Sequence, residues 1–432
     1  MKISVEGYKS IADERSIIVG GLTILSGANS SGKSSFMQPL LLIKQSLEND
    51  FDAGSLLLDG PNVRLTDSSE IVSKVPETKP AHFSVSVRTD KGYTRAVYKF
   101  TPKRGITIDS VYDESEHFKD GLHLYLGLKS SEIKKILDNK QFEHFKTLFQ
   151  SIPGLIWKVV RDRCFLEIQM QISKKTTPFG AGIAPAQRLI NIATNLIHVP
   201  GLRGNPERSY RVASSESLYP GSFERYVASI IYKWKTTPRL KPKFFKLIEW
   251  LNQLGLASAI EVSSINETRL EVKISRHRGC GGNSADYVNI ADVGFGVSQT
   301  LPVLVALLAA KKGQVVYIEQ PELHLHPRAQ YELSKIIASA VSNDSIDVVI
   351  ETHSSILIRG VQILVAKGEM DGDSVNLNWF VQNPTTGQTE ITQATLDKYG
   401  AFGDWPEDFD SIALDVEQEY LDAVEEAANN EN

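Results

Sequence analysis

The segment Gly27-Ala-Asn-Ser-Ser-Gly32-Lys33-Ser34 constrains this chain more than any other. It fits the spacing G-x-x-x-x-G-K-[ST] and lies between the short apolar run GLTILSG and a segment with apolar residues at helical spacing. Glycines allow backbone conformations that point successive N–H groups inward, and the following helix adds the positive end of its dipole. The sequence therefore predicts a strand, loop and helix that bind the phosphates of a nucleoside triphosphate.

The polar residues of this loop have specific predicted roles. Lys33 is expected to bridge the β- and γ-phosphates, and the Ser34 hydroxyl is expected to bind Mg²⁺. The alternative is a turn rich in Gly and Ser that fits the pattern by coincidence. The predicted nucleotide-binding residues are Gly27, Ala28, Asn29, Ser30, Ser31, Gly32, Lys33, Ser34 and Ser35.

A second candidate segment is the apolar strand Val315–Glu319, typical of a parallel sheet that is covered on both faces. In phosphate-loop enzymes a carboxylate at the end of such a strand holds Mg²⁺, so Glu319 is a predicted metal residue. The string EQPELHLHP that begins at Glu319 contains two histidines and two carboxylates. A separate metal centre is the alternative interpretation of that string.

A third segment, IDVVIETHS, is another apolar strand followed by His353. A histidine at a sheet edge beside a γ-phosphate can sense or polarise the nucleotide, and a structural role is the alternative. We therefore count His353 among the candidate catalytic residues.

The segment DVGFGVSQTLP places two glycines and a Ser-Gln pair at the start of an apolar helix. Exposed N–H groups and a serine hydroxyl at a helix N-terminus form an anion site. Because the chain already has a phosphate loop, this second site makes sense if it faces the γ-phosphate held by another subunit. A plain helix cap at Ser298 is the alternative. The residues concerned are Gly294, Gly296, Ser298 and Gln299.

Four motifs, taken in their order along the chain, resemble those of the ABC-type, AAA-family ATPases of the SMC and RecF kind. These motifs are GANSSGKSS, DVGFGVSQTLP, VVYIEQPELHLHP and IETHSS. More closely, the chain is similar to the overcoming-lysogenization-defect (OLD) group, which includes the ATPase subunits of the Septu and PARIS anti-phage systems. Three further segments resemble a subfamily of these ATPases that is often encoded in defence loci. They are LLLDGPNVRLTDSSEIV, HVPGLRGNPERSY and GAFGDWPEDFD.

The resemblance implies an α/β fold like that of ABC and SMC heads, with an N-terminal β-rich lobe, a central helical insertion and a C-terminal α/β lobe. It implies a Walker A loop at residues 27–34, a signature segment at 294–299, a Walker B acid at Glu319 and a switch histidine at His353. It also implies the cofactors ATP and Mg²⁺. Two chains, or a larger homo-oligomer, are expected to close head-to-tail around the nucleotides.

One departure from the family pattern concerns hydrolysis. Many relatives carry two consecutive acids at the end of the Walker B strand, whereas this chain has Glu319-Gln320. A neutral amide cannot act as the general base that activates water. Either Glu322 substitutes for the missing acid, or Gln320 orients the water as a glutamine does in small GTPases. We expect slow hydrolysis, with the nucleotide serving as a clamp for the dimer.

Composition narrows the setting. The net charge of -5 argues against a uniformly basic nucleic-acid binder, but residues 203–246 hold ten Lys or Arg against three acids, and residues 404–432 hold eleven acids and no Lys or Arg. No uninterrupted apolar run approaches the roughly 18 residues of a membrane-spanning helix. With two cysteines and no apolar leader at the start, a cytoplasmic protein without a disulfide framework is expected.

The sequence predicts five regions. These are an N-terminal ATPase lobe (1–80), a β-rich lobe with a helical insertion (81–200), a basic helical region (201–260), a C-terminal ATPase lobe (261–365) and a family-specific segment with an acidic helix (366–432). The GDWPEDFD turn in the last region is either a surface turn or a docking site.

Two functions fit these observations. In the first, ATP-driven dimerisation controls a separate effector such as a nuclease in prokaryotic anti-phage defence; the effector acts in trans, because no nuclease motif follows His353. In the second, the chain is a DNA-repair or chromosome-maintenance ATPase that clamps nucleic acid through residues 203–246, which as a simpler alternative are a solvated helix face. A transporter subunit is a third and weaker interpretation, since nothing suggests a surface for membrane helices.

Overall fold

The computed structural model describes residues 1–74, 82–137, 155–172, 182–214, 218–275, 286–403 and 418–423. The strands in these ranges are β1 Lys2–Glu6, β2 Arg15–Ile18, β3 Leu22–Gly27, β4 His82–Thr89, β5 Gly92–Thr101, β6 Gly105–Ser115, β7 Phe118–Tyr125, β8 Leu155–Asp162, β9 Phe165–Ile172, β10 Ile197–Val199, β11 Tyr210–Arg211, β12 Ala259–Asn266, β13 Arg269–Ser275, β14 Tyr287–Asn289, β15 Val315–Glu319, β16 Asp347–Glu351, β17 Val375–Gln382 and β18 Thr389–Thr395. The helices are α1 Lys33–Glu48, α2 Ser130–Leu137, α3 Gln187–Asn195, α4 Val227–Thr236, α5 Lys241–Gln253, α6 Phe295–Ala309, α7 Pro327–Asp344 and α8 Ser355–Ala366.

The central sheet has the strand order β10-β15-β16-β3-β17-β18, and all neighbours in it pair in parallel except β17 and β18. The three motif strands β3, β16 and β15 are therefore adjacent. Because the carboxyl ends of parallel strands meet at one edge of a sheet, the phosphate loop, Glu351 and Glu319 lie along the same edge.

Strand β15 shows why the sequences of the motif strands are continuous apolar runs. Successive side chains of a strand point to opposite faces of the sheet. Val316 and Ile318 join one hydrophobic core, with residues of α6, α7 and α8, whereas Val315 and Tyr317 join a second core, with residues of α1. The sheet is covered on both faces, as the sequence predicts.

A second sheet, with the order β2-β1-β4-β5-β6-β7, is antiparallel throughout and confirms the predicted β-rich lobe. A smaller antiparallel sheet of β11 to β14 shares a core with α4 and α5. The α/β fold class with its N-terminal β-rich lobe and C-terminal α/β lobe is confirmed. Within the described ranges no helix is long and apolar enough to cross a membrane.

Two sequence predictions fall largely outside the described residues. The segment EIKKILDNKQFEHFKTLF, within the region 81–200, has a helical pattern; its first residues lie in α2, and residues 138–149 are not described. Of the predicted acidic C-terminal helix, only residues 418–423 are described, and they are helical. The GDWPEDFD turn also lies outside the described residues.

Candidate nucleotide-binding site

The loop between β3 and α1 depends on two glycines in left-handed conformations. Gly27 has φ 139 and Gly32 has φ 102, which side-chain-bearing residues rarely adopt. A Cβ atom on Gly27 would lie 2.1 Å from the carbonyl oxygen of Phe380, and one on Gly32 would lie 2.4 Å from Oγ1 of Thr389. Thr389 also donates to the carbonyl oxygen of Ser31, at 2.9 Å. The loop therefore follows a path that the rest of the chain fixes closely.

Lys33 is buried at the first position of α1, with only 3% of its surface exposed. Its Nζ donates to the carbonyl oxygens of Gly27, at 3.1 Å, and Ala28, at 2.7 Å. Burial lowers its pKa, and the charge of Glu351 opposes that shift. No described side chain caps the N-terminus of α1 and its first turn has no acidic residue, so its free N–H groups can receive an anion.

Ser34 contacts a carboxylate on the neighbouring strand. Its Oγ donates to Oε1 of Glu351 at 2.8 Å, and the hydroxyl of Tyr317 donates to Oε2 of the same carboxylate at 3.1 Å. Burial raises the pKa of Glu351, and the nearby charge of Glu319 raises it further. The structure thus places Glu351, rather than Glu319, directly against the hydroxyl predicted to bind Mg²⁺.

Sequence reasoning did not single out Glu351. A usable signal was present, because Glu351 ends its strand as Glu319 ends β15, and the two residues pair in the parallel register. Two apolar strands that each end in a carboxylate predict two carboxylates side by side at the sheet edge.

Glu319 is held by a segment that precedes it by more than a hundred residues in the chain. Its Oε1 lies 3.2 Å from Nε2 of His198, and its Oε2 accepts from the amide of Gly201 at 3.0 Å. The His198 ring stacks on Tyr317, and its Nδ1 lies 3.1 Å from Oδ1 of Asn62. Burial raises the pKa of Glu319, but the contacts with His198 and Gly201 outweigh burial and lower the pKa overall.

Gln320 and Glu322 follow Glu319 in a tight turn. Gln320 has a φ of 44°, an uncommon conformation for a residue with a side chain. Its backbone N–H donates to the backbone carbonyl oxygen of Glu351 at 2.7 Å. Glu322 accepts at Oε1 from the hydroxyl of Thr352, at 2.8 Å, and from the amide of His353, at 3.0 Å. Burial raises the pKa of Glu322. Glu322 therefore joins the turn after β15 to the turn after β16.

His353 lies beside the phosphate loop. Burial lowers the pKa of its ring and the positive charge of Lys33 lowers it further, whereas a hydrogen bond with the Gly27 backbone opposes both effects. The structure thus brings His353 together with the residues of the predicted Walker A loop.

The signature segment has a different environment. Gly294 caps α6, and a Cβ atom there would have no neighbour within 4 Å among the described atoms. Phe295 is 51% exposed and its ring lies 5.7 Å from that of His324. Ser298 donates only to the carbonyl oxygen of Phe295. Across the described ranges, no hydrogen bond joins residues 294–299 to the phosphate loop of the same chain.

Gln299 and Arg203 form a reciprocal buried contact behind this segment. The side-chain Nε2 of Gln299 donates to the backbone carbonyl oxygens of Arg203 and Gly204, each at 3.3 Å. The Arg203 guanidinium donates to the carbonyl oxygens of Gln299, at 3.0 Å, and Glu319, at 2.7 Å. The Gln299 side chain points into the protein, and Arg203 links the signature helix to the Walker B strand. Sequence reasoning noted the HVPGLRGNPERSY segment but assigned neither His198 nor Arg203 a role.

The histidines after Glu319 have structural contacts. His326 caps α7 by accepting from the amide of Arg328. Within the described part of the chain, no group of three or more His, Cys, Asp or Glu side chains is arranged as a metal centre. The oxygen donors that fit Mg²⁺ are the hydroxyl of Ser34 and the carboxylates of Glu351 and Glu319, because hard cations prefer oxygen ligands.

A phosphate loop, two carboxylates at the ends of neighbouring strands and a histidine beside the loop define a nucleotide-binding site of the ATPase class. Two family models match the sequence. The model described as "AAA domain, putative AbiEii toxin, Type IV TA system" matches residues 22–178, and "AAA ATPase domain" matches residues 225–358. The chain is thus similar to AAA-type ATPase domains in both halves, which supports its interpretation as an ATPase. No curated protein matches the chain significantly.

Several solved SMC head domains also superpose on the chain. The SMC head bound to the C-terminal winged-helix domain of ScpA has 12% identity and a TM-score of 0.48, over 92% of this chain and 98% of that one. A head with an extended coiled coil, bound to the C-terminal domain of ScpA from Pyrococcus furiosus, has 11% identity and a TM-score of 0.47, over 91% and 96%. The SMC head from Thermotoga maritima has 10% identity and a TM-score of 0.37, over 90% and 97%.

Proposed function

We propose that this chain binds and slowly hydrolyses Mg-ATP as one half of a head-to-tail homodimer. One contrast supports this proposal best. Lys33, Ser34 and Glu351 form a connected set around the phosphate loop, whereas the signature segment of the same chain faces open space at Gly294. A second chain can place its own signature segment over this phosphate loop.

The residues around the loop have separable tasks. Lys33 exchanges the carbonyl oxygens of Gly27 and Ala28 for phosphate oxygens, and the free N–H groups of α1 orient the same phosphates. Ser34, Glu351 and Glu319 hold Mg²⁺, which neutralises charge on the phosphates. Lys33 and His353 add donors where negative charge develops on the transferred phosphoryl group.

Slow turnover follows from the turn after β15. Gln320 carries no charge and cannot accept a proton from water. Glu322 uses Oε1 to hold Thr352 and the His353 amide, so its role in this proposal is to position His353. Gln320 then orients the attacking water, whose proton passes to an oxygen of the transferred phosphoryl group rather than to a protein base. Bound ATP therefore persists long enough to hold the dimer together.

We further propose that dimerisation controls a separate effector, most consistently a nuclease, in prokaryotic anti-phage defence. The support is the motif resemblance to ATPases of defence systems, together with a matching family model whose description names a toxin of a type IV system. The purified chain is expected not to cleave DNA or RNA in Mg-ATP. Cleavage by the chain alone would contradict an effector in trans.

Calorimetric titration with Mg-ATP, combined with a phosphate-release assay, tests the ATPase proposal. The unsubstituted chain is expected to bind ATP and release phosphate slowly, and Lys33→Ala is expected to lose both properties. If Lys33→Ala bound ATP as tightly as the parent chain, the assignment of the loop would be wrong.

Direct binding of nucleic acid is the second candidate, and one observation favours it. Lys233, Arg239 and Lys241, around the turn between α4 and α5, are exposed and have no ion-pair partner among the described residues. In contrast, Lys235 forms an ion pair with Glu261, and Lys243 donates to the carbonyl oxygen of Leu308. If these exposed cations bind phosphates, affinity for DNA must fall steeply with salt. A shallow salt slope, or no binding, removes this candidate.

A further inference from the structure

A buried glutamine joins helix α1 to the loop that follows it. Gln45 of α1 is 1% exposed, and its side chain forms four hydrogen bonds with the loop 57–63. Its Nε2 donates to the carbonyl oxygens of Leu57 and Val63, at 2.7 and 3.1 Å. Its Oε1 accepts from the backbone N–H groups of Asn62 and Val63, at 3.2 and 2.9 Å. A fully paired buried polar group is rigid, so the loop has a fixed position relative to α1.

The side chain of Asn62, in this loop, lies against the buried ring of His198. Its Oδ1 is 3.1 Å from Nδ1 of His198, and Nε2 on the other side of the same ring is 3.2 Å from Oε1 of Glu319. The ring also stacks on Tyr317, with 5.3 Å between the ring centroids. An imidazole with a partner at each nitrogen and an aromatic ring on one face is held in a single orientation. Asn62 therefore helps to determine how His198 meets Glu319.

Stability alone does not account for an asparagine at position 62. The Nδ2 atom of Asn62 is buried and has no hydrogen-bond partner among the described residues. Burying a donor without a partner is unfavourable, and a leucine, which is close to asparagine in size, would avoid that cost. What the asparagine adds at this position is the contact between its Oδ1 and His198.

The carboxylate of Glu319 is held on both oxygens and still reaches solvent. His198 faces its Oε1, the backbone N–H of Gly201 donates to its Oε2 at 3.0 Å, and 22% of its side-chain surface remains exposed. A carboxylate oxygen has two lone pairs, so these contacts leave acceptor positions open for a metal ion or its bound water. Groups that hydrogen-bond to a metal ligand from behind orient it, and their loss typically changes metal affinity or activity by about 10- to 100-fold.

We propose that Asn62 and His198 are positioning residues that hold the Glu319 carboxylate in the orientation that binds Mg²⁺. This inference depends on the proposed function, in which Glu319 is one of the oxygen donors for the metal. Asn62 lies in the segment LLLDGPNVRLTDSSEIV and His198 in the segment HVPGLRGNPERSY, so two segments far apart in the sequence meet at one carboxylate. Through Gln45, helix α1 supports Glu319 as well as Ser34, which lies at its N-terminal end.

Metal binding to the full-length chain tests this role. Mn²⁺, a paramagnetic substitute for Mg²⁺, is titrated into the chain saturated with a non-hydrolysable ATP analogue, and electron paramagnetic resonance gives its Kd. Asn62→Leu removes the contact with His198 and should raise that Kd by about tenfold. Asn62→Asp keeps an oxygen facing Nδ1 and should stay close to the parent. Asn376→Leu is the matched control, because it removes a half-buried asparagine that donates to the carbonyl oxygen of Gly20, and it should leave Kd unchanged.

The orientation of His198 is measured without metal or nucleotide. NMR of a deuterated chain with ¹⁵N-labelled histidine should show one ring N–H signal that His198→Gln removes. Exchange with water should abolish this signal in Asn62→Leu, whereas Asn62→Asp and Asn376→Leu should retain it.

The positioning role would be overturned if the parent chain lacked this signal, or if Asn62→Leu kept both the signal and the parental Kd for Mn²⁺. Equal losses in Asn62→Leu and Asn62→Asp, or in Asn62→Leu and Asn376→Leu, would overturn it too. If the parent chain bound no ATP analogue, the proposed function would fail, and the NMR comparison would still decide whether Asn62 orients His198.

Discussion

The chain has two helix N-termini that we predict to bind anions, and they differ in what surrounds them. At α1, Lys33 and Ser34 are tied to Gly27, Ala28 and Glu351, and the motif strands converge on the loop. At α6, Gly294 and Phe295 are exposed, and no described carboxylate or lysine contacts residues 294–298 through a side-chain hydrogen bond.

In our proposal the same backbone physics therefore serves two purposes. The N–H groups at either helix start can bind an anion, but only α1 has the cation and metal-binding oxygens that a triphosphate needs. In the proposed dimer, α1 would hold the nucleotide within one chain, and α6 would contribute to a nucleotide held by the other. Substitutions at the two sites should separate these roles.

Replacing Lys33 by Ala should have the largest effect. In the proposed mechanism Lys33 supplies the positive charge that stabilises the transferred phosphoryl group, so ATP turnover should fall at least about 100-fold. Phosphate release measured at an ATP concentration that saturates the parent chain checks this, with the exposed Lys367→Ala as control. Full activity in Lys33→Ala would remove the phosphate loop from the account.

Glu351→Gln should reduce turnover by about 10- to 100-fold, since a neutral amide keeps the contact with Ser34 but holds Mg²⁺ poorly. ATP binding measured without Mg²⁺ should change little. Titration of Mg²⁺ against activity checks the expectation, which predicts a higher Mg²⁺ requirement in the variant. An unchanged Mg²⁺ requirement would assign Glu351 a structural role only.

Gly294→Asp addresses the other helix. Gly294 has ordinary extended backbone angles and free space around it, so a side chain fits without strain. A carboxylate there should repel a partner's phosphates and reduce turnover by about tenfold, while binding of ATP to the single chain persists. Gly294→Asn is the matched neutral control and should retain more activity. Equal activities of the two variants would argue that no phosphate approaches Gly294.

Gln320→Glu should have the smallest effect, and in the opposite direction. If the missing acid limits the rate, turnover should rise by about fivefold, less than the hundredfold or more of an optimally placed base. The gain is limited because Gln320 sits in a left-handed turn with its side-chain oxygen near Gly201. Single-turnover phosphate release measures the chemical step, and an unchanged or lower rate would count against this explanation.

The sequence predicts the parts of this site that local chemistry determines. The local sequence predicts the positions of Gly27 and Gly32, the strand before them and the helix after them. Each of these features depends on backbone requirements of a few neighbouring residues. The apolar strands β15 and β16 and the helix α6 follow from hydrophobic pattern in the same way.

Contacts between distant segments could not be predicted so readily. His198 and Gly201 meet Glu319 because β10 pairs with β15, and a three-residue strand carries little pattern of its own. Arg203 contacts Gln299 and Glu319 only after the loop behind β10 folds against α6. These residues act through tertiary placement, whereas the glycine spacing of the phosphate loop acts through the local backbone.

The most direct test of the central claim is a mixing experiment with Lys33→Ala and Gly294→Asp chains. In a dimer of either variant alone, both nucleotide sites contain one altered element. In a mixed dimer, the intact phosphate loop of one chain meets the intact signature segment of the other, so an equal mixture should recover to about a quarter of parental ATP turnover. Turnover that stays at the mean of the two separate variants would contradict a nucleotide site shared between chains.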